Sequence, residues 1–226
     1  KTTTIRTLLG FISPTGGTAT VLGHDVQDEA ELIEAKADIG YLPSDLGFDE
    51  KTTGEEFLAY HASLKGGVRS EELLEIFDAP VERPIGEYSM GNEKKLAVVQ
   101  AFMHDPDLVI MDEPTSGLDP LMQERFYEFI REEKARGTTI FFSSHILSEV
   151  RKICDRVGII RDGEFVAIEK VDELLDRNGK HVRVHTGQEL TESDFDVDGV
   201  HELTVDDATA AFMFPGEYDD LLAHLS

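Results

Sequence analysis

The chain has 226 residues, 40 % of them hydrophobic and 30 % charged. That is a folded composition, long enough to bury one sizeable core and a small appendage. Forty-six acidic residues against 21 basic ones leave a formal charge of −25. This balance argues against binding nucleic acid or an anionic membrane surface and points to a halophilic surface, whose self-repulsion a salt-rich cytoplasm screens. No apolar run approaches the roughly 18 residues of a membrane span, and no signal peptide is visible. A single cysteine, Cys154, excludes an internal disulfide.

The opening Lys1-Thr2-Thr3 reads in two ways. It can start a helix over residues 2–9, with Ile5, Leu8 and Leu9 on one face and Gly10 as its stop. It can also be the lysine–hydroxyl ending of a Gly-rich phosphate loop, in which case the helix N-terminus faces the phosphates. A short strand is expected over 18–22, a helix over 28–37 and a strand over 39–42 that stops at Pro43. Helical spacing over 53–65 and 70–77 predicts a helical subdomain covering about 48–104. Within it Ser89 reads as the N-cap of a helix carrying Leu96, Val99 and Met103, and Gly91 permits close approach of backbone.

The stretch DLVIMDEPTSGLDP, residues 107–120, carries the most chemistry. Leu108, Val109, Ile110 and Met111 read as a strand buried on both faces, as in a parallel sheet. It ends in Asp112 and Glu113, with Pro114 barring its continuation. Ligands of open α/β sheets bind at such carboxyl ends. One acid can hold magnesium while the next meets water; a lone Asp-Glu is more often a solvated strand end, but Lys1-Thr2 upstream favours the first reading. An amphipathic helix follows over 121–136, ended by Gly137. A buried strand over 138–142 delivers Ser143, Ser144 and His145 to the same end of the sheet. A hairpin turning at Asp162-Gly163 comes next. A domain boundary is expected near Asn178-Gly179, giving domains 1–178 and 179–226. The tail, rich in acids, is expected to form a small α+β domain from strands around 182–184, 203–205 and 211–214 and a last helix over 218–225.

Taken in order, these pieces resemble the ATP-binding subunit of an ABC transporter. Lys1-Thr2 match the end of the Walker A loop, Tyr88 to Asn92 the signature motif, Leu108 to Glu113 Walker B with its catalytic glutamate, Ser116 to Asp119 the D-loop, and His145 the switch histidine. The likeness covers residues 1 to about 170. It implies an α/β P-loop NTPase core with a helical subdomain, and a strand and phosphate-cradling loop ahead of Lys1.

For the site, the resemblance implies ATP held by Lys1, Thr2 and Thr3, Mg2+ by Thr2 and Asp112, and water activated by Glu113 with His145. Ser89 and Gly91 would bind the ATP of a second subunit in a head-to-tail dimer, and Asp119 would link the two sites. The family has a glutamine after the 39–42 strand; here that position is Ser44, a plain loop residue or a contact through water. Met90 stands at the first signature glycine and Asn92 at the glutamine. The implied function is ATP hydrolysis on the cytoplasmic face of the cell membrane, powering a membrane subunit of exporter type. Two alternatives stand beside it. One is a soluble ABC ATPase of translation or DNA repair, against which the 44 residues between Ser44 and Ser89 leave no room for a coiled-coil arm. The other is a truncated, non-catalytic subunit.

Overall fold

The computed structural model describes residues 1–173, 180–187, 190–197 and 199–214. They fall into two compact units, Lys1–Ile153 and Cys154–Ser226. The Asp162-Gly163 hairpin belongs with the second unit.

The first unit is built on a parallel sheet of β3 (Ile39–Leu42), β4 (Leu108–Asp112) and β5 (Thr139–Ser143) in that order. Side-chain alternation along β4 feeds two cores at once. Leu108 and Ile110 join one cluster with Ile5, Leu9, Leu32 and Ile39, while Val109 and Met111 join another with Leu42, Leu96, Phe102 and Phe126. This is why four apolar residues in a row form one strand. The first cluster is closed by α1 (Thr2–Leu8), α2 (Glu29–Ala37) and the ribbon of β1 (Thr20–Val21) and β2 (His24–Asp25). The second is closed by α3 (Gly54–Lys65), α4 (Ser70–Phe77), α5 (Met90–Phe102) and α6 (Pro120–Arg136). A Cβ at Gly40 would collide with the carbonyl of Ala101, so the glycine sets how closely α5 lies on the sheet.

Helix starts follow local chemistry. Asp28 accepts from the N–H groups of Ala30 and Glu31, Thr53 and Glu56 form a reciprocal capping box, and Asp119 accepts from Leu121 and Met122. Gly137, at φ +110, ends α6.

One expectation fails in this unit. The 138–142 segment reads as a buried strand, yet along β5 Thr139 and Phe141 are exposed and only Ser143 is buried. Among the described residues β5 pairs with β4 alone and is an edge strand; Ile140 and Phe142 pack on the second cluster, while Phe141 faces away, 43 % exposed.

In the second unit β6 (Arg156–Arg161) and β7 (Glu164–Lys170) form an antiparallel hairpin turning at Asp162 and Gly163, both with positive φ. A second antiparallel sheet runs β8 (Lys180–His185), β10 (Thr209–Phe214), β9 (His201–Asp206), over a core of Val182, Phe195, Ala210, Phe212 and Phe214. The three tail strands thus match the sequence pattern. The expected last helix and the Asn178-Gly179 boundary lie outside the described residues.

Candidate functional site

The carboxyl ends of β4 and β5 meet at Asp112 and Ser143, which are partners in register. Asp112 is 1 % exposed, and both of its carboxylate oxygens are taken by hydroxyls. Thr2 Oγ1 donates to Oδ2 at 2.7 Å, and Ser143 Oγ donates to Oδ1. The α1 helix (Thr2–Leu8) that carries Thr2 is docked on the sheet through Ile5, 1 % exposed, so a hydroxyl 110 residues away in sequence is held against the strand end. Lys1 Nζ donates to the Ser144 carbonyl, just beyond the end of β5, at 2.6 Å.

Glu113 follows Asp112 with φ +49, a left-handed conformation that costs a non-glycine residue about 1–2 kcal/mol. The turn is pinned by the Glu113 N–H donating to the Ser143 carbonyl at 3.1 Å and by the Ser116 N–H donating to the Glu113 carbonyl at 3.2 Å. It lifts the side chain out of the buried strand to 38 % exposure, where Oε1 lies 3.0 Å from His145 Nδ1. The hydrolytic pair expected from sequence is therefore in direct contact.

Thr2 and Asp112 offer one hydroxyl and one carboxylate. Among the described residues no three of His, Cys, Asp and Glu converge. An all-oxygen set with a single carboxylate suits magnesium, whose remaining positions are filled by water and phosphate oxygens. The set fits that ion and does not fit zinc.

A pocket of about 170 Å³ opens beside the pair, lined by Glu113, Thr115, Ser116, Ser144, His145 and Glu149.

The remaining predicted residues make local contacts or none among the described residues. Thr3 is exposed, and its carbonyl accepts from Thr7 Oγ1. Ser44 is exposed in the bend after β3, with no side-chain hydrogen bond among the described residues. Ser89 caps α5, its Oγ accepting from the Asn92 N–H at 3.3 Å. Asp119 spends Oδ1 on the cap of α6. The departure at Met90 has a structural partner: Gly117 has φ +82, and any Cβ there would sit 2.7 Å from Met90 Sδ, so the signature segment and the D-loop of one chain pack together.

Two features escape sequence reading. Lys94, one turn into α5, is 2 % exposed, and its Nζ has no hydrogen-bond partner among the described residues. Burial pulls its pKa down, against the opposing pull of the Asp112 and Glu113 charges. Glu149, 2 % exposed on α7 (Leu147–Ile153), accepts from Thr115, Tyr127 and Ser144. Neither has a motif, and the Ser-Ser pair before His145 is the only local hint of the hydroxyl network.

Residues 1–116 match the ABC transporter family. An ABC transporter ATP-binding protein of Nostoc sp. is 40 % identical over 83 % of this chain and 58 % of its own length. The fluoroquinolones export ATP-binding protein of Mycobacterium tuberculosis is 32 % identical over 88 % of this chain and 68 % of its own. A solved ATP-binding subunit of an ABC transporter superposes with a TM-score of 0.68 at 32 % identity, over 77 % of this chain and 75 % of that one. The chain spans less than two thirds of the Nostoc relative's length.

Proposed function

As this chain belongs to the ABC transporter family, we propose that it binds ATP and hydrolyses it to drive a membrane partner of exporter type. The observation that carries the reading is the convergence of Thr2 and Ser143 on Asp112 beside the Glu113–His145 contact. In this assignment Lys1 neutralises charge on the transferring phosphoryl group. Thr2 and Asp112 would hold magnesium, which would supply charge neutralisation at the phosphates. Glu113 orients the attacking water and accepts its proton, and His145, whose Nδ1 lies 3.0 Å from Glu113 Oε1, helps position that water and hydrogen-bonds the γ-phosphate. The pocket beside them shelters that water.

Ser89 and Gly91 are assigned to the ATP of a second subunit meeting this one head to tail. Asp119, at the D-loop end, is assigned to the contact between the two sites. The export role is supported by the name of the mycobacterial relative. No described helix is long and apolar enough to cross a membrane, and attachment to the cytoplasmic face through the partner's transmembrane subunit is part of the proposal.

The test is Glu113→Gln in purified protein with ATP and magnesium. An ATP-stabilised dimer on gel filtration with turnover reduced at least 100-fold is expected, since the amide cannot accept the proton. Wild-type turnover in this variant would remove Glu113 from the role and the reading with it.

A further inference from the structure

Glu149 is a buried carboxylate that the mechanism above does not use. Burying a carboxylate is costly unless its lone pairs are filled, and here three hydroxyls from three segments fill them. Thr115 Oγ1, in the loop after β4, and the Tyr127 hydroxyl, on α6 at 3.3 Å, both donate to Oε1. Ser144 Oγ, in the loop after β5, donates to Oε2 at 2.6 Å. Among the described residues no cation pairs with it, so this is a hub of hydroxyls and not an ion pair.

Each hydroxyl has a single proton to give, and giving it to Glu149 fixes what its oxygen can do next. Ser144 Oγ accepts from the Ile146 N–H at 2.9 Å, so the turn around His145 is held from both sides. The Ser144 carbonyl is the acceptor for Lys1. Thr115 stands two residues after Glu113, in the strained turn that lifts the base out of the strand. Tyr127 stays a donor at every working pH, because burial, followed by the neighbouring Glu149 charge, pushes its pKa up to about 12. A core position with no task beyond packing is served at lower cost by an apolar side chain. Glu149 instead lines the same pocket as Glu113 and His145.

We propose that Glu149 is a positioning residue, which ties the loop after β4 to the loop after β5 and so sets the approach of His145 to Glu113. The proposal deepens the hydrolase reading and rests on it for its kinetic consequence, but its geometric consequence stands alone. Removing the hub frees Ser144 and Thr115, and the His145 ring loses its fixed partner.

The experiment compares wild type with Glu149→Ala, Glu149→Gln and Ser144→Ala. His145 imidazole 15N resonances are recorded without nucleotide, and kcat and KM for ATP are measured alongside. In Glu149→Ala the His145 signals should move toward those of a free imidazole, kcat should fall about 10-fold or more, and KM should stay within about twofold. Glu149→Gln, which keeps one acceptor oxygen, should recover part of both effects. Ser144→Ala removes only the Oε2 contact and serves as the readout should Glu149→Ala not fold. Its His145 shift should match the direction seen on losing Glu149, and combining it with Glu149→Gln should add little. Unmoved His145 signals in folded Glu149→Ala, or in Ser144→Ala where that protein does not fold, overturn the proposal. So does an unchanged kcat in a hydrolysing protein. If wild type shows no hydrolysis while the His145 signals shift as stated, the hydrolase reading fails and the loop tie is upheld.

Discussion

Replacing Arg69 by methionine should cost the first unit about 3 kcal/mol. Arg69 is 6 % exposed and engages Glu133 through two parallel bonds, Nη1 to Oε2 and Nη2 to Oε1, both 2.7 Å. Nε and Nη2 also reach Glu72 at 3.1 and 2.7 Å, and Nη1 reaches Asp105 at 3.3 Å. Glu133, on α6, is itself 1 % exposed. Methionine fills a similar volume, so the loss is mainly the charge left behind on Glu133. Removing one partner of a buried pair costs about 3–5 kcal/mol. The lower figure applies because Arg136 Nε, 3.8 Å from Glu133, remains as a weak substitute. Urea denaturation followed by circular dichroism should show the midpoint falling by roughly 1–3 M, at a slope of about 1–3 kcal/mol/M. The double variant Arg69→Met, Glu133→Leu should return to within about 1 kcal/mol of wild type, because the unpaired carboxylate is gone. A single variant as stable as wild type, or a double variant as weak as the single, would refute the argument.

Two further tests concern charge and pH. Burial pushes the His104 imidazole down to about 4, with Lys65 acting in the same sense and a backbone hydrogen bond at Ile39, Asp38 and Asp105 opposing, and its Nε2 has no hydrogen-bond partner among the described residues. Between the ordinary value near 6.5 and about 4 the unfolded chain binds more protons than the folded one, so stability is lost as pH falls through that window. Urea titrations at pH 7 and pH 4.5 should show a smaller loss in His104→Gln than in wild type, and parallel losses would reject this assignment. With a net charge of −25, the thermal midpoint should rise from low to multimolar potassium chloride as the screening length shrinks from about 10 Å to about 3 Å. Equal stability at both ends would rule out the halophilic reading.

Much of the fold was legible because it is local. The caps at Asp28, Thr53 and Ser89 act within three residues, the spacing of Leu73 and Phe77 marks the buried side of α4, and Asp162-Gly163 encodes its own turn. The apolar run at 108–111 announced a strand covered on both faces, and the acids after it pointed to that end of the sheet as the candidate site. Lys1, Thr2, Asp112, Glu113 and His145 could be named as a site from motif order alone. Their contacts could not. That Thr2 binds one oxygen of Asp112 while Ser143 binds the other depends on α1 docking beside β4 and on the register of β4 with β5, and neither leaves a periodic trace. The same holds for β5, whose residues suit a buried strand; burial depends on what lies against each face, and Phe141 faces away from both clusters. Lys94 and Glu149 look in sequence like the solvated charges of two ordinary helices. Only packing turned them inward, one left without a hydrogen bond among the described residues and the other surrounded by three hydroxyls. Sequence sets which groups are present and how each segment bends. The long-range pairings come from burying the two faces of one sheet, and they determine which of those groups meet.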